Sequence, residues 1–323
     1  MAMRELKRWQ RALLYSAFTG FAALLAFYLT FPYDALKSRL RQTASSAGIT
    51  VDIDSLGPGL LGLRAKGVHL AKRAAVEGEP PPPTLNLDSV SVRPTFFPPG
   101  LSLSVSALGG SVDVFAGGFF LVRLATGLAA KSPEGSIGLK ISVDDLDVSK
   151  GNLKAFSGLD LVGIVNADVA LTVPMMNMGP RFEPDLGQAT GTVALHTKGL
   201  TLNGGTVNIA LPMYGPEPTP IDLPKIVLGD VDGALKFDKG AGTVDELKSK
   251  SADLEAQGTG SLKLAKSLAY SEPNLELRFK ADPEFQKRLG LLGSALSIVG
   301  PDPKDSSWRM GRLTGYLGKP SFR

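Results

Sequence analysis

The chain has 323 residues, of which 43% are hydrophobic and 20% charged, so it is long enough for a sizeable core and too apolar to be disordered throughout. It has no cysteine and only two histidines, which excludes disulfide scaffolds, thiolate zinc sites, cysteine nucleophiles and histidine-rich metal sites. The net charge of +4 is too small and too scattered to indicate nucleic acid as a partner, and the composition argues against an enzyme.

The N-terminal segment predicts a membrane anchor. Residues 13–31 carry no charge, and a helix of this length at about 1.5 Å per residue spans about 28 Å, close to the hydrocarbon core of a bilayer. The length of the stretch and its bulky end favour an uncleaved anchor over a cleaved signal peptide. The residues expected in the anchor are Leu13, Leu14, Phe18, Phe21, Leu24, Leu25, Phe27, Leu29 and Phe31.

Basic residues before the anchor predict its orientation. By the positive-inside rule, residues 1–12 form a cytoplasmic tail and the rest of the chain crosses to the far side. The topology determinants are Arg4, Lys7, Arg8 and Arg11.

Residues 32–48 predict a short amphipathic helix next to the membrane. Leu36, Leu40 and Ala44 recur at helical spacing, and Gly48 suits the helix end. The remaining faces are basic, which suits either a helix lying on the membrane surface or a connector packed on the following domain. The sequence leaves these two alternatives open.

From residue 49 to residue 323 the hydrophobic period changes from 3.6 to 2, which predicts one β-rich domain. Turn signals recur every 8 to 15 residues, roughly, and favour an antiparallel meander over βαβ units. The expected fold is therefore mainly β: a single transmembrane helix, then an elongated, curled meander with one or two short helices, either a groove or a sandwich. The residues expected on its interior or lining a groove are Ile137, Leu139, Ile141, Val143, Val165, Val169, Leu171, Val173, Val207, Ile209, Leu235 and Phe237.

Four segments of this domain carry further predictions. Residues 115–130 are apolar but broken by glycines, so helix and strand compete there. Residues 212–224 are rich in proline and predict a long loop or an edge segment. Residues 283–299 predict a helix that ends before a Gly-Pro pair, and residues 308–322 predict one final strand.

The sequence offers few candidates for catalysis or metal binding. Residues 57–62 match G-x-G-x-x-G, but a strand-like sequence follows, which favours a hairpin turn over a dinucleotide site. His69 and His196 are expected to be exposed strand residues, not bases or ligands. Asp144, Asp145 and Asp147 are explained by an Asp-rich turn. We therefore expect no cofactor, no metal site, no catalytic residue and no enzyme.

Short motifs at the two ends of the chain resemble the GspN family of type II secretion systems. FPYDAL (31–36) follows the anchor, a strand pair occupies 51–70, and the chain closes on GRLTGYLGKPSF (311–322). The resemblance implies an accessory subunit of the bacterial inner membrane, single-pass, with a cytoplasmic N-terminus and a periplasmic body. It would act as an envelope scaffold in the export of folded proteins across the outer membrane, with other secretion-system subunits as partners.

The same rhythm also resembles the AsmA-like and bridge-like lipid-transfer proteins, in which one anchor precedes a long meander curled into a groove. That resemblance implies a periplasmic lipid-binding or lipid-transfer module, with phospholipid or lipopolysaccharide acyl chains as ligand. An aromatic content of only 7% favours an incompletely filled face. Because a closed core shows the same alternation as a groove, the scaffold and the lipid module both stay open.

Overall fold

The protein is built around one open antiparallel sheet that accounts for most of the chain. The structure, a computed structural model, has 65% of its residues in strands, so the predicted mainly β class is confirmed. The sheet is open. The structure describes residues 8–46, 48–59, 61–72, 84–125, 135–151, 154, 159–177, 182–209, 219–290 and 299–322.

Among the described residues sixteen strands belong to this sheet, and fourteen of them lie side by side in the order of the sequence. The other two lie off this path, because β8 pairs with β7 and β10 pairs with β9. The strands are β1 (Ile49–Gly59), β2 (Gly62–Lys72), β3 (Thr84–Phe96), β4 (Pro99–Ala107), β5 (Gly110–Gly117), β6 (Ser136–Asp147), β7 (Leu159–Asn177), β8 (Phe182–Pro184), β9 (Thr190–Ile209), β10 (Thr219–Leu223), β11 (Ile226–Asp238), β12 (Ala241–Lys250), β13 (Leu254–Lys263), β14 (Glu272–Ala281), β15 (Arg309–Tyr316) and β16 (Lys319–Phe322).

Two longer helices precede the sheet and short ones interrupt it. In the part of the chain that the structure describes, no helix combines the length and the apolarity needed to span a membrane. The predicted anchor at 13–31 is therefore unsupported by the structure and stays a prediction. The helices are α1 (Arg8–Thr30), α2 (Tyr33–Ser46), α3 (Phe119–Ala125) and α4 (Pro283–Arg288), with 3-10 turns at Val148–Lys150, Leu186–Gln188 and Leu268–Tyr270.

The helix predicted at 32–48 is observed as α2, which packs against the first strand of the sheet. The Lys37 ammonium group donates to the carbonyl oxygen of Asp54 at 3.3 Å, and Arg41 forms an ion pair with Asp52. No residue of α2 is buried. These contacts are those of a connector that lies along the edge of the domain.

The C-terminal segment differs from its prediction. One final strand over 308–322 is wrong, because the chain turns back between Tyr316 and Lys319 to form the hairpin of β15 and β16. Gly315 adopts a φ of +89° just before this turn. Alternation continues on both sides of the turn, so hydrophobic period alone conceals it.

The Asp-rich turn predicted at 144–147 is also wrong. Asp144 and Asp145 lie inside β6, where the register with β7 shifts between Val143 and Leu146. Asp145 has a φ of +48°, so this position is a β-bulge. Asp147 ends the strand and caps the 3-10 turn that follows.

The remaining predictions are met in part. In the glycine-broken segment both alternatives occur, because β5 ends at Gly117 and α3 begins at Phe119, while 126–130 lie outside the described residues. The proline-rich segment contains the short β10, and its residues 212–218 lie outside the described residues. The hairpin at 57–62 joins β1 to β2. The helix predicted at 283–299 is observed only as α4, and 291–298 lie outside the described residues.

Two clusters of buried side chains stabilise the sheet. One lies in the first strands and centres on Ile53, Ala65 and Val68. The other lies where the central strands end, and it contains Val173, Ala189, Phe237 and Leu264. Between these clusters most apolar side chains of the described strands are half-buried.

Candidate functional site

One face of the sheet carries an unbroken row of apolar residues that runs through all fourteen strands of the main path. Directly paired residues of antiparallel strands point to the same face, so the register traces the row from strand to strand. We call it the central row, and only one of its positions is a glycine. Its members are Pro58, Leu63, Val92, Leu103, Val114, Ile141, Val169, Val193, Leu235, Val244, Gly260, Leu275, Leu313 and Phe322.

Flanking rows on the same face widen this surface. At about 4.8 Å between strands, fourteen strands extend the face over about 60 Å. We call the whole surface the apolar face. One flanking row contains Leu101, Ala116, Leu139, Leu171, Gly191, Phe237, Gly242 and Leu262, and the other contains Val105, Val112, Val143, Ala167, Leu195, Gly233 and Leu247.

The opposite face of the same strands is polar. Its residues include Ser104 and Asp113, which pair between β4 and β5 and form a hydrogen bond through their side chains. The Ser142 hydroxyl likewise donates to Asp168 across β6 and β7 at 3.0 Å. The sheet is therefore amphipathic, with hydroxyls and charges on one side and aliphatic side chains on the other.

The apolar face is half-exposed along most of its length. In the central row Val244 is the one buried residue, and Val92 is 37% exposed. The described residues thus leave this face without a full second layer.

A cap covers the face at the end of its central strands. Leu186, Ala189 and Leu264 pack there against Val173 and Phe237. Backbone hydrogen bonds hold the cap in place, because Gly240 donates to Ala189 and Leu264 donates to Gly240, both at 2.8 Å. The face is therefore covered at this end, whereas most of the central row beyond the cap is half-buried.

The structure places most of the predicted lining residues on this face. Val173 and Phe237 are buried beneath the cap. The side chains of Val207 and Ile209 lie outside the described residues, although their backbone pairs with β10. The other predicted lining residues lie on this face and are half-buried: Ile137, Leu139, Ile141, Val143, Val165, Val169, Leu171 and Leu235.

Sequence reasoning missed the share of the face that the outer strands contribute. Leu63, Val114 and Leu313 belong to the central row, yet each strand's alternation gives no sign of which neighbour it pairs with. The sequence of these strands does show the alternation of apolar and polar residues that could have identified them. Only the register shows that these residues continue one surface.

The polar groups of the described residues form no recognisable catalytic site. His69 Nδ1 lies 2.8 Å from Asn86 Oδ1, and this hydrogen bond raises the pKa of His69. His196 Nδ1 lies 2.6 Å from Asp232 Oδ1, with 61% of the His196 side chain exposed. Among the described residues no cluster of three or more His, Asp or Glu side chains is placed to hold a metal ion.

A comparison with protein families, curated proteins and solved structures found no match to the chain. The apolar face is therefore the feature from which function must be inferred. Aliphatic side chains at this density offer no group for acid–base or nucleophilic chemistry. They offer a surface that gains free energy when another apolar surface covers it.

Proposed function

We propose that the protein binds the acyl chains of lipids on its apolar face. The observation that carries this proposal is the central row, which is unbroken through fourteen strands and yet half-exposed. Apolar surface removed from water contributes about 0.8 kcal/mol per methylene group. An alkyl chain lying along the row therefore gains affinity with its length, without needing any directional contact.

A groove is the form in which such a face would hold lipid. Open sheets seldom exceed about 10 strands without curling, and β-bulges increase the local bend and twist. Register shifts occur in several strand pairs, among them β6–β7, β9–β11 and β12–β13. We propose that the sheet curls about its apolar face, with the polar face toward water, as in the AsmA-like proteins that the sequence resembles.

The proposed setting is the bacterial inner membrane, with the N-terminus cytoplasmic and the sheet in the periplasm. Phospholipid or lipopolysaccharide acyl chains are the ligands available there. A scaffold role in type II secretion, together with its partner subunits, remains a prediction from the resemblance to the GspN family. No feature of the described residues favours that role over lipid binding. That the protein is no enzyme also stays a prediction.

Native mass spectrometry of the full-length protein, purified in a mild detergent, tests the proposal. We expect phospholipid to co-purify with the wild-type chain. Val169→Asp places a carboxylate in the central row, where Val169 pairs with Ile141 and Val193, and should abolish most of this binding. Burying a carboxylate against an alkyl chain without a partner is strongly unfavourable.

A matched variant controls for stability and for lipid held elsewhere on the chain. Ala170→Asp introduces the same side chain one position along β7, on the polar face, where Ala170 is exposed and pairs with Lys140. This variant should keep its phospholipid, and thermal melts should show both variants folded. If the wild type carries no phospholipid, or if both variants lose it equally, lipid binding on the apolar face is wrong.

A further inference from the structure

Large exposed apolar side chains are concentrated at one end of the strands. This end holds the β1–β2 and β3–β4 turns and the start of α3, and we call its exposed residues the rim: Leu61, Phe96, Phe97, Leu101 and Phe119. Phe97 is 91% exposed, and the other four are 57% to 68% exposed. Leu61 and Phe97 lie in the turns themselves, where Gly, Asn, Asp, Ser or Pro are usual, so apolar side chains are unusual there.

The C-terminal strands continue the same pattern at the same end. Tyr270 and Tyr316 come from the β13–β14 and β15–β16 turns, and their rings meet edge to face at 6.1 Å between centroids. Tyr270 is 66% exposed. At the opposite end of the strands, Ile49 is the exposed large hydrophobic side chain among the residues that the structure describes.

The apolar helix α1 is attached to the rim. The Tyr28 hydroxyl donates to the carbonyl oxygen of Gly62 at 2.7 Å and also contacts that of Gly59. These two glycines flank the turn that carries Leu61. The uncharged stretch of 13–31 therefore leaves the sheet at the end where the exposed aromatics lie, and not at the opposite end.

We propose that the rim enters the interfacial layer of a phospholipid bilayer beside α1. Aromatic rings favour this layer, because one part of it is apolar and another is wet. At about 4.8 Å per strand, the rim extends over about 20 Å along the ends of the strands. A row of exposed side chains of this kind can contact a flat membrane surface along its whole length. This contact does not require lipid on the apolar face. It would place next to the membrane the end of the strands at which the cap covers the central part of that face.

Depth-dependent quenching tests the rim in the full-length protein. Because the chain has no cysteine, a single Phe97→Cys substitution can carry one environment-sensitive fluorophore. In phosphatidylcholine vesicles that contain doxyl-labelled lipid, we expect severalfold quenching of this label. Lys150→Cys is the control, because Lys150 follows β6 at the opposite end of the strands and its side chain is 59% exposed. The control label should not be quenched.

Two results would overturn the inference. One is equal quenching of the two labels, and the other is a Phe97→Cys label that lipid does not quench. Shielding of such an unquenched label from aqueous iodide would indicate that a protein partner or a second copy covers the rim. If the rim label is quenched but no phospholipid co-purifies, the membrane contact of the rim is supported and the proposed function is wrong. If phospholipid co-purifies but the rim label is not quenched, the proposed function is supported and the membrane contact is wrong.

Discussion

Gly240 shows how a single turn residue connects the sheet to its cap. Lys239 and Gly240 have φ values of +49° and +76°, the pair of positive values that a tight two-residue hairpin needs. A Cβ atom on Gly240 would lie 2.0 Å from the backbone carbonyl oxygen of Gly187 in the cap. The β11–β12 turn and the cap can therefore approach only because this residue has no side chain.

Gly240→Ala should destabilise the protein by at least about 2 kcal/mol, because left-handed backbone strain adds to a backbone collision. Chemical denaturation measures this change. Gly57→Ala is the control, since Gly57 has open space around its Cβ position and no positive φ. It should be neutral or stabilise the fold by under about 1 kcal/mol. Equal losses in the two variants would contradict the turn geometry.

Asp302 is a buried carboxylate held by a local network. The Lys304 backbone amide donates to Asp302 Oδ1 at 2.8 Å, and Arg278 forms an ion pair with the same carboxylate. The Arg278 guanidinium also lies 5.3 Å from the centre of the Trp308 ring. The amide hydrogen bond, followed by Arg278, lowers the pKa of Asp302 below its ordinary value of 3.8.

This network should make part of the stability sensitive to acid. Because the pKa of Asp302 is lower in the folded state, its contribution is complete above pH 3.8 and is lost as pH falls below that value. Asp302→Asn removes the titrating group, so its melting temperature should fall less steeply below pH 3.8 than that of the wild type. Parallel melting curves of the two proteins across this range would contradict the assignment.

At the scale of elements, β7 combines a buried and an open part on one face. Val173 is 2% exposed beneath the cap, whereas Val169 is only half-buried in the central row. Val173→Ala should therefore cost about 1.5 to 2.5 kcal/mol, from two buried methylene equivalents and a residual cavity. Val169→Ala should cost under about 1 kcal/mol. Denaturant titration of both variants measures the difference, and equal costs would show that the central row is covered.

Local patterns were enough to predict many of these elements. The hairpin at 57–62 and helix α2 follow from turn residues and from helical spacing, which act over a few residues. The β15–β16 hairpin was missed because its tip, Leu317-Gly318, lacks the Asn-Gly or Asp-Gly pair that signals a short turn. The bulge at Asp145 was missed because Asp is common in turns, whereas here it adopts the left-handed backbone conformation inside a strand.

The candidate site was predictable only strand by strand. The alternation of Ile141 and Val169 shows which parity is apolar, but the pairing of these residues with each other is set by contacts far apart in sequence. Half-exposure of the central row depends on the absence of covering residues, and a sequence pattern does not contain that information. The hydrogen bond from Tyr28 to Gly62, which attaches α1 to the rim, likewise joins residues from different elements.

At the scale of the whole molecule, each strand of the main path packs chiefly on its immediate neighbours. Such an array behaves as a nearly one-dimensional system, in which stability is a sum of local terms and neighbour contacts. Its two edges are protected in different ways. Helix α2 lies along β1, whereas β16 is short and carries Lys319 and Pro320, which discourage pairing with another chain.

Hydrogen exchange should reveal this arrangement directly. Amides of β7, β9 and β11 should exchange most slowly, because these long strands adjoin the cap, and amides of the short edge hairpin of β15 and β16 should exchange fastest within the sheet. Gly240→Ala should accelerate exchange in β11, β12 and their neighbours while β1 to β3 keep their protection. A single cooperative core would lose protection everywhere at once, so uniform acceleration from β1 to β16 would contradict a linear array. The distance over which the acceleration decays measures how many strands unfold together.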